Sequence, residues 1–256
     1  MPKVSVVIPV FQGEEYLAQA IKSCLDQTVK PFEIIIIDDG STDKTVEIIK
    51  SWEQLVAEVE EGILKKSPIK LYQNEQNEGI GFSRKRGVDL AKGDYIAFCS
   101  ADDILEPSFI EGMLSYAKSY PDCIFYSDFE IIDENGNKRG EVRSPEFADY
   151  NQFIQTCINA AKQDKMFVCY NIFAPAKLLK ENNFDAEKTY GEDLEHLLRC
   201  ILVKNIKFVH VPWVLFKYRE HKKMMTQQKW NKIHENNLKT FEKINSLLGK
   251  QYFKKI

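Results

Sequence analysis

The sequence predicts an α/β protein in which helices cover a mostly parallel central sheet. Short apolar runs typical of buried parallel strands alternate with segments whose apolar residues recur at helical spacing. Two of these runs end on adjacent aspartates, Asp38-Asp39 and Asp102-Asp103. Ligands of open α/β sheets bind at the carboxyl ends of the strands, so the two acidic strand ends predict a binding edge. One such pair alone is also ordinary turn chemistry.

The first half of the chain alternates four predicted strands with three predicted helices. Ser41-Thr42-Asp43 predicts a cap for the second helix, and Gly93 is expected to end the third. The strands are expected over 4–9, 33–37, 69–72 and 95–99, and the helices over 14–26, from the cap to 59, and over 82–92. This alternation predicts parallel strands joined by covering helices.

The pattern changes after Pro107, where helices and strands no longer alternate regularly. Asp133 to Gly136 predicts a hairpin turn. Helices are expected over 109–119, 150–161 and 191–202, strands over 123–127, 129–132, 206–211 and 213–218, and a mobile loop over 141–149. We therefore divide the chain into residues 1–107, 108–221 and 222–256.

Composition excludes several classes of protein. The 256 residues are 44% hydrophobic and 29% charged, which supports one large core or two packed subdomains. A net charge of −3 gives no case for nucleic-acid binding. No apolar run is long enough for a signal peptide or a membrane span, so we expect a cytoplasmic protein. The six cysteines show no CxxC spacing, which predicts buried reduced thiols.

The third segment, 222–256, has a charge unlike that of the rest of the chain. It holds nine Lys and two Glu, and its apolar residues recur at helical spacing. This pattern predicts a basic amphipathic helix. Two interpretations stay open: the helix packs on the domain with a solvated lysine face, or it makes peripheral contact with an anionic membrane surface, here the inner face.

The chain lacks both common phosphate-binding loops. Neither GxGxxG nor GxxxxGK[ST] follows a predicted strand. If a nucleotide binds, its phosphate charge must be neutralised in another way. A metal held at Asp102-Asp103 is the obvious means, because Mg²⁺ or Mn²⁺ takes one or two carboxylates together with phosphate oxygens.

Six motifs in order resemble those of the family-two inverting glycosyltransferases. They span roughly residues 3–221 and resemble, in turn, the family's opening strand, its DDGSxD signature, its N-x-G-x-x-x-A-R stretch with a following GDY strand, its DxD region, its ED motif and its YRxH motif. The matching residues are Val4 to Phe11, Asp38 to Asp43, Asn77 to Arg84 with Gly93 to Ile96, Ser100 to Pro107, Gly191 to Asp193, and Tyr218 to His221. The resemblance implies a GT-A fold with a smaller acceptor-side subdomain.

The resemblance also implies roles for single residues. On the nucleotide side, Asp39 would accept the imide N–H of uracil or thymine, Glu14 would lie near the ribose or base, and Arg84 would face the base or pyrophosphate. Pro9, Val10 and Phe11 would flank the base, and Gly79 belongs to the same nucleotide-binding set. Arg86, on the same predicted helix as Arg84, is expected on a solvated face.

The remaining roles concern the metal and the chemistry. Asp102 and Asp103 would hold the ribose and the metal between them, and His221 would reach the metal or the pyrophosphate. Asp193 would be the general base, since inversion needs in-line attack by a hydroxyl that loses its proton. Its neighbour Glu192 is the weaker candidate, and first-turn helix acids favoured by the dipole are the alternative for both.

These roles predict a metal-dependent inverting glycosyltransferase. It would transfer a sugar from a UDP- or dTDP-sugar to a hydroxyl of a saccharide or lipid-linked saccharide, with Mn²⁺ or Mg²⁺ as cofactor. One alternative is an inactive nucleotide-sugar-binding or scaffold protein, because Ser100 stands where the family often has a further acid. A sugar-nucleotide pyrophosphorylase is disfavoured, since Gln12 to Glu15 is not a glycine-rich basic loop.

Overall fold

A computed structural model describes residues 1–57, 67–146, 152, 156 and 171–249. Within these residues, nine strands form one sheet. The strands are β1 Val4–Val10, β2 Glu33–Asp38, β3 Ile69–Gln73, β4 Tyr95–Phe98, β5 Ile104–Leu105, β6 Ile124–Ile132, β7 Lys138–Val142, β8 Phe173–Pro175 and β9 Phe208–Arg219. The predicted α/β class with a mostly parallel sheet is confirmed.

The strand order explains where the two acidic strand ends meet. The order is β3-β2-β1-β4-β8-β6-β9-β5, with β7 paired to β6. The first four are mutually parallel, β8 is antiparallel to both its neighbours, and β6 and β9 are parallel. Because β1 lies between β2 and β4, the residues after β2 and after β4 flank the end of β1 at one sheet edge.

Eight helices in the described part of the chain cover the sheet. They are α1 Leu17–Leu25, α2 Thr45–Ala57, α3 Ile80–Leu90, α4 Phe109–Ala117, α5 Ala176–Glu181, α6 Glu192–Leu198, α7 Met225–Gln228 and α8 Trp230–Leu248. A π-helical turn, Arg199–Val203, continues α6. The predicted cap of α2 is made by Asp43, whose Oδ1 accepts the backbone N–H of Thr45 at 3.0 Å.

The run of four isoleucines in β2 shows why both sheet faces need helices. All four are fully buried. Since successive side chains of a strand point to opposite faces, Ile34 and Ile36 pack in one core and Ile35 and Ile37 in the other. The first core includes residues of α1, α2 and α4, and the second includes residues of α3, α5, α6 and α8.

The structure corrects several predicted boundaries in the second half. The segments 123–127 and 129–132 form one strand, β6, and 206–211 and 213–218 form one strand, β9. The short elements β5, β8 and α5 were not predicted. Glu141 and Val142 belong to β7. Of the predicted helix over 150–161 only Gln152 and Thr156 are described, both as helical, and Thr156 Oγ1 donates to Gln152 O at 2.9 Å. The end of the 141–149 loop lies outside the described residues.

The basic C-terminal helix packs on the domain. Ile233, Phe241 and Ile244 of α8 are buried, and Phe241 and Ile244 join the second core. Lys243 lies 3.2 Å from Asp185, and Lys188 donates to Thr240 at 3.0 Å. These contacts favour the packed interpretation, and membrane contact stays a prediction. No helix among the described residues is both long and apolar enough to cross a bilayer.

The cysteines agree with the prediction as far as they are described. Cys24, Cys99, Cys123 and Cys200 are free and buried. Cys157 and Cys169 lie outside the described residues. The described thiols therefore belong to the apolar core rather than to a disulfide framework.

Candidate functional site

A cavity of about 910 Å³ opens at the carboxyl ends of β1, β2 and β4, with α6, α7 and α8 on its other side. All the residues predicted for the site line it: Pro9, Val10, Phe11, Glu14, Asp39, Gly79, Arg84, Asp102, Asp103, Asp193 and His221. The structure thus brings them together, although they come from six separate segments of the sequence. Their individual roles stay predictions.

The loop after β1 forms one wall of the cavity and is fixed by Gln12. Its side-chain oxygen accepts the backbone N–H groups of Thr42 and Asp43 at 3.0 and 3.1 Å. Its backbone N–H donates to Ser41 Oγ at 2.9 Å, and its φ is +54°. This network leaves the neighbouring Phe11 ring half exposed at the cavity. An exposed aromatic ring at that position suits stacking against a planar base.

Asp39 is buried and already holds a neighbouring loop. Its carboxylate accepts hydrogen bonds from Asn74 Nδ2 at 2.6 Å and from the backbone N–H groups of Glu78 and Gly79 at 3.0 and 2.9 Å. The two carboxylate oxygens offer about four acceptor positions, so the group keeps capacity for a further donor. Asp39 therefore has a structural role that the motif alone did not predict.

Asp102 and His221 face each other across the cavity wall. His221 Nε2 lies within hydrogen-bond distance of Asp102 Oδ2, at 3.2 Å. The ring centroid of His221 lies 4.7 Å from that of Tyr16. His221 Nδ1 is buried and has no hydrogen-bond partner among the described residues. The two side chains therefore place a carboxylate oxygen and an imidazole nitrogen, both of which can bind a metal, together at the end of β4.

Asp103 is more deeply buried than Asp102 and is bound on both oxygens. Oδ1 accepts the backbone N–H of Arg219 and Oδ2 accepts Asn171 Nδ2, both at 3.0 Å. Burial, and next the charge of Asp102, raise the pKa of Asp103 from 3.8 to about 8. Asn171 Oδ1 in turn accepts the Ser100 hydroxyl at 3.4 Å. An amide thus occupies the space beside the position where the family often has a further acid.

Arg219, in the YRxH segment, is a buried structural cross-link. Its guanidinium donates to the backbone oxygens of Asp102, Asp133 and Glu134 and to Gln19 Oε1, at 2.7 to 3.3 Å. It also lies 4.6 Å from the centroid of the Tyr16 ring. Arg219 therefore ties the end of β4 to the hairpin turn and to α1, and so positions Asp102.

The start of α6 carries two acids in different environments. Both line the cavity, but Glu192 is buried and lies 3.2 Å from Nη1 of Arg84, while Asp193 is half-buried. Burial raises the pKa of Glu192 from 4.5 to about 7, against the opposing effect of Arg84. The pairing leaves Asp193 as the more accessible carboxylate of the two.

The side chains at the end of β4 include atoms of the kind that bind a divalent cation. In the part of the chain that the structure describes, no three His, Cys, Asp or Glu side chains converge as a ready-made metal site. The Asp102–His221 pair nevertheless fits Mn²⁺ or Mg²⁺ in the type of its atoms, and a diphosphate can complete the coordination of such an ion. The oxygens of Asp103 each keep a lone pair beyond their protein partners.

Sequence reasoning missed several residues that shape the site. Asn171 lies far from every recognised motif, and only the sheet pairing brings it beside Asp103. The contribution of α7 and α8 to the cavity was also missed. Arg86, predicted on a solvated face, is half-buried and also makes hydrogen bonds that were not predicted: it donates to Gln73 O at 2.8 Å and to Asn74 Oδ1. Asn74 binds Asp39, so Arg86 supports the site indirectly.

The comparison with protein families decides the class of protein. Residues 5–177 match the model described as glycosyl transferase family 2. The chain belongs to glycosyl transferase family 2. The resemblance noted in the motifs is therefore confirmed, and the protein is a glycosyltransferase.

Relatives of known sequence agree with this membership. An uncharacterised glycosyltransferase of Methanocaldococcus jannaschii is 32% identical over 85% of this chain and 71% of its own length. One of Haemophilus influenzae is 34% identical over 60% of this chain and 58% of its own length. This family-2 chain thus spans only part of the proteins that it matches.

Solved structures support the GT-A fold for this glycosyltransferase. The crystal structure of S. aureus TarS has a TM-score of 0.68 at 19% identity, covering 95% of this chain and 39% of TarS. TarS residues 1–349 in complex with UDP-GlcNAc give a TM-score of 0.69 at 18% identity, covering 96% of this chain and 70% of the other. At this identity the comparison shows the fold alone.

Proposed function

We propose that this glycosyltransferase transfers a sugar, with inversion, from a UDP- or dTDP-sugar to a hydroxyl of a saccharide or lipid-linked saccharide. The observation that carries the proposal is that one cavity collects a buried acid, an exposed aromatic ring, an acid–imidazole pair and an accessible carboxylate at a helix start. These are Asp39, Phe11, Asp102 with His221, and Asp193. A nucleotide-sugar transferase needs one group for the base, one for the diphosphate and one for the attacking hydroxyl.

The nucleotide end is supported by Asp39 and the loop after β1. A buried carboxylate suits the imide N–H of uracil or thymine, because a hydrogen bond to a charged acceptor is stronger than one to a neutral acceptor. Phe11 offers a face for stacking. The TarS complex with UDP-GlcNAc, on the same fold, supports UDP as the first nucleotide to test.

The diphosphate end is supported by the Asp102–His221 pair. A bound Mn²⁺ or Mg²⁺ would be held by these two side chains, with Asp103 behind them, and would offset the negative charge on the departing diphosphate. Arg219 fixes the backbone of Asp102 and, through its own N–H, the carboxylate of Asp103. Arg219 thus holds in place the two aspartates that would bind the metal.

Asp193 is the proposed general base. It lines the cavity, whereas the adjacent Glu192 is held by Arg84. An acceptor hydroxyl that attacks the anomeric carbon opposite the leaving diphosphate would give its proton to the Asp193 carboxylate. Membrane contact, a lipid-linked acceptor and a cytoplasmic location remain part of the proposal. Ile233, Phe241 and Ile244 of α8 are buried, so the proposed membrane contact rests on the other residues of this segment.

The test is a panel of UDP- and dTDP-sugars, measured with Mn²⁺, with Mg²⁺ and with a chelator. Thermal stabilisation reports binding, since a ligand that binds only the folded state raises the melting temperature. Slow hydrolysis of the nucleotide sugar, measured as the UDP or dTDP that it produces, reports bond cleavage at the anomeric carbon. We expect metal-dependent stabilisation by at least one nucleotide and metal-dependent hydrolysis of its sugar ester.

Three outcomes have distinct meanings. If a nucleotide raises the melting temperature equally with metal and with chelator, the proposed role of the metal in nucleotide binding is rejected. Binding without hydrolysis or transfer would favour the inactive nucleotide-sugar-binding alternative. The absence of stabilisation by any nucleotide of the panel would reject the proposed donor class.

A further inference from the structure

The C-terminal helix contributes a side chain to the cavity that none of the recognised motifs contains. Asn237 of α8 lines the cavity, sixteen residues beyond His221, the last motif residue. Its Oδ1 lies 2.4 Å from the point where a Cβ on Gly191 would stand. Gly191 directly precedes Glu192 and Asp193, so α8 touches the chain at the start of the helix that carries the proposed base.

The amide of Asn237 is oriented by its contact with Gly191. Oδ1 is buried and has no hydrogen-bond partner among the described residues. Because this oxygen is turned toward Gly191, the amide nitrogen Nδ2 is turned away from Gly191. The amide nitrogen is therefore the group left to bind an oxygen of a ligand in the cavity that Asn237 lines.

The position of Asn237 is fixed by the packing of α8. Ile233, one helical turn before it, is buried, and Thr240, three residues after it, is buried and accepts a hydrogen bond from Lys188 at 3.0 Å. Lys243 adds an ion pair to Asp185 at 3.2 Å. The amide is therefore held by a docked helix, which suits a residue that discriminates between ligands.

We infer that Asn237 is a specificity-determining residue that donates a hydrogen bond from Nδ2 to an oxygen of the transferred sugar. The inference rests on the proposed function. If Asp193 is the base, the anomeric carbon of the sugar lies near the start of α6. The rest of the sugar ring then lies within reach of Asn237. A hydroxyl or acetamido oxygen is the acceptor that such a sugar supplies.

The test compares UDP with UDP-sugars in the full chain. UDP, UDP-glucose, UDP-galactose, UDP-GlcNAc and UDP-GalNAc are titrated by calorimetry against the parent protein, Asn237→Ala and Asn237→Asp. The aspartate has nearly the same shape but replaces the N–H donors with an acceptor oxygen. Asn231→Ala is the control, because Asn231 is an exposed asparagine of the same helix that does not line the cavity.

We expect the Asn237 variants to bind UDP as the parent does and to bind the preferred UDP-sugar about 3- to 10-fold more weakly, the effect of one neutral hydrogen bond. The Asn231 variant should be unchanged. An unaltered ratio of UDP-sugar to UDP affinity in both Asn237 variants would overturn the inference. Equal weakening of UDP and UDP-sugar would show a purely structural role and would also overturn it.

The same titrations separate this inference from the proposed function. If the parent protein binds no UDP and no UDP-sugar, the titrations are repeated with dTDP and dTDP-sugars, and failure with both nucleotides rejects the proposed function and the inference with it. If the parent protein prefers one UDP-sugar and the variants keep that preference, only the inference fails. Asn237→Ser provides a second small substitution if Asn237→Ala does not fold.

Discussion

Arg84 Nη1 lies 3.2 Å from Glu192 Oε1, and both side chains are buried. The guanidinium carbon of Arg84 also lies 5.7 Å from the centroid of the Phe98 ring and 5.6 Å from that of Phe184. The pair joins α3, which follows the nucleotide-side loop, to the start of α6. It therefore connects the two sides of the cavity beneath the proposed base.

Removing the cation of this pair should destabilise the protein. In Arg84→Met, the buried Glu192 carboxylate loses its partner and must stay unpaired or take up a proton. Breaking a buried pair in this way costs about 3 kcal/mol of unfolding free energy. Urea unfolding at neutral pH measures the loss, and adding Glu192→Gln to the variant should restore part of it.

Lys85→Met is the matched control for Arg84→Met. Lys85 pairs with Asp89 at 2.6 Å on the same helix, but both side chains are largely exposed. Exposed pairs contribute about 1 kcal/mol or less. Equal losses for the two variants, or no recovery in the double variant, would contradict the structural importance of the buried pair.

The raised pKa of Glu192 predicts a pH dependence of stability. The folded pKa, about 7, exceeds the ordinary value of 4.5, so the folded state binds the proton more tightly. This stabilising contribution is complete below pH 4.5 and is lost as the pH rises toward about 7. Glu192→Gln removes the titration, so its unfolding free energy relative to the parent should rise over this window, by at most about 1.4 kcal/mol per pH unit.

The comparison with Glu192→Gln also removes the contribution of other groups. Burial lowers the pKa of His196 from 6.5 to about 3, so that residue acts in the opposite direction and loses stability as the pH falls. His196 is present in both proteins and cancels in the difference. A difference that stays constant from pH 4.5 to about 7 would mean that Glu192 does not titrate there.

Asp39→Asn should change the preferred nucleobase. In the proposed function the carboxylate would accept the N3–H of uracil, whereas an amide can donate to the unprotonated N3 of cytosine. Because Asp39 also holds the backbone of Glu78 and Gly79, the readout is the ratio of UDP to CDP affinity rather than UDP affinity alone. We expect this ratio to fall about tenfold or more, the effect of a hydrogen bond to a charged group.

Asp38→Asn controls for the Asp39 experiment. Asp38 is the neighbouring buried aspartate, but it accepts the N–H of Ser41 and does not line the cavity. Its UDP to CDP ratio should equal that of the parent, even if its stability changes. An unchanged ratio in Asp39→Asn would limit Asp39 to its role in holding the loop.

The local patterns of the sequence predicted most of the first half of the fold. The isoleucine run of β2 and the helical spacing of α1 to α3 are short-range signals, and each predicted element is present. In the second half, Asp128 and Pro212 looked like strand ends. Asp128 instead pairs with His210 of the adjacent strand at 2.7 Å, and the pairing of β6 with β9 shifts register around Pro212.

The site was predictable only where topology decides it. Acids after two parallel strands on either side of β1 must meet at one edge, and Asp39 and Asp102 do so. The amide of Asn171 and the docking of α8 depend on long-range packing, which leaves no motif in the sequence. The hydrogen bonds of Arg86 were missed because helical spacing alone does not show that the end of β3 lies within its reach.

Asp193→Asn should abolish transfer while leaving donor binding nearly unchanged. In the parent protein the Asp193 carboxylate accepts the N–H of Leu194 at 2.7 Å. The amide has nearly the same shape and its oxygen can still accept this N–H, but it cannot take a proton at neutral pH. Loss of a general base lowers turnover by about 10² to 10⁴. UDP release from the preferred donor measures turnover, and calorimetry with UDP measures binding.

The control for Asp193→Asn is Glu187→Gln, which removes an exposed acid shortly before α6. Its turnover should match that of the parent. If Asp193→Asn keeps parental turnover, the base lies elsewhere, and Glu192 becomes the next candidate.

Gly191→Ala should disturb both the stability of the protein and the start of α6. Gly191 has a φ of +67°, where a residue with a Cβ costs about 1–2 kcal/mol. The new Cβ would also stand 2.4 Å from Asn237 Oδ1. In an Asn237→Ala background only the backbone cost remains, so the two substitutions should be less damaging together than the sum of their separate effects.

Urea unfolding of the parent, the two single variants and the double variant measures this coupling. Gly140→Ala is the control, because nothing lies within 4 Å of the Cβ position of Gly140. Strictly additive effects would mean that Asn237 does not press on Gly191.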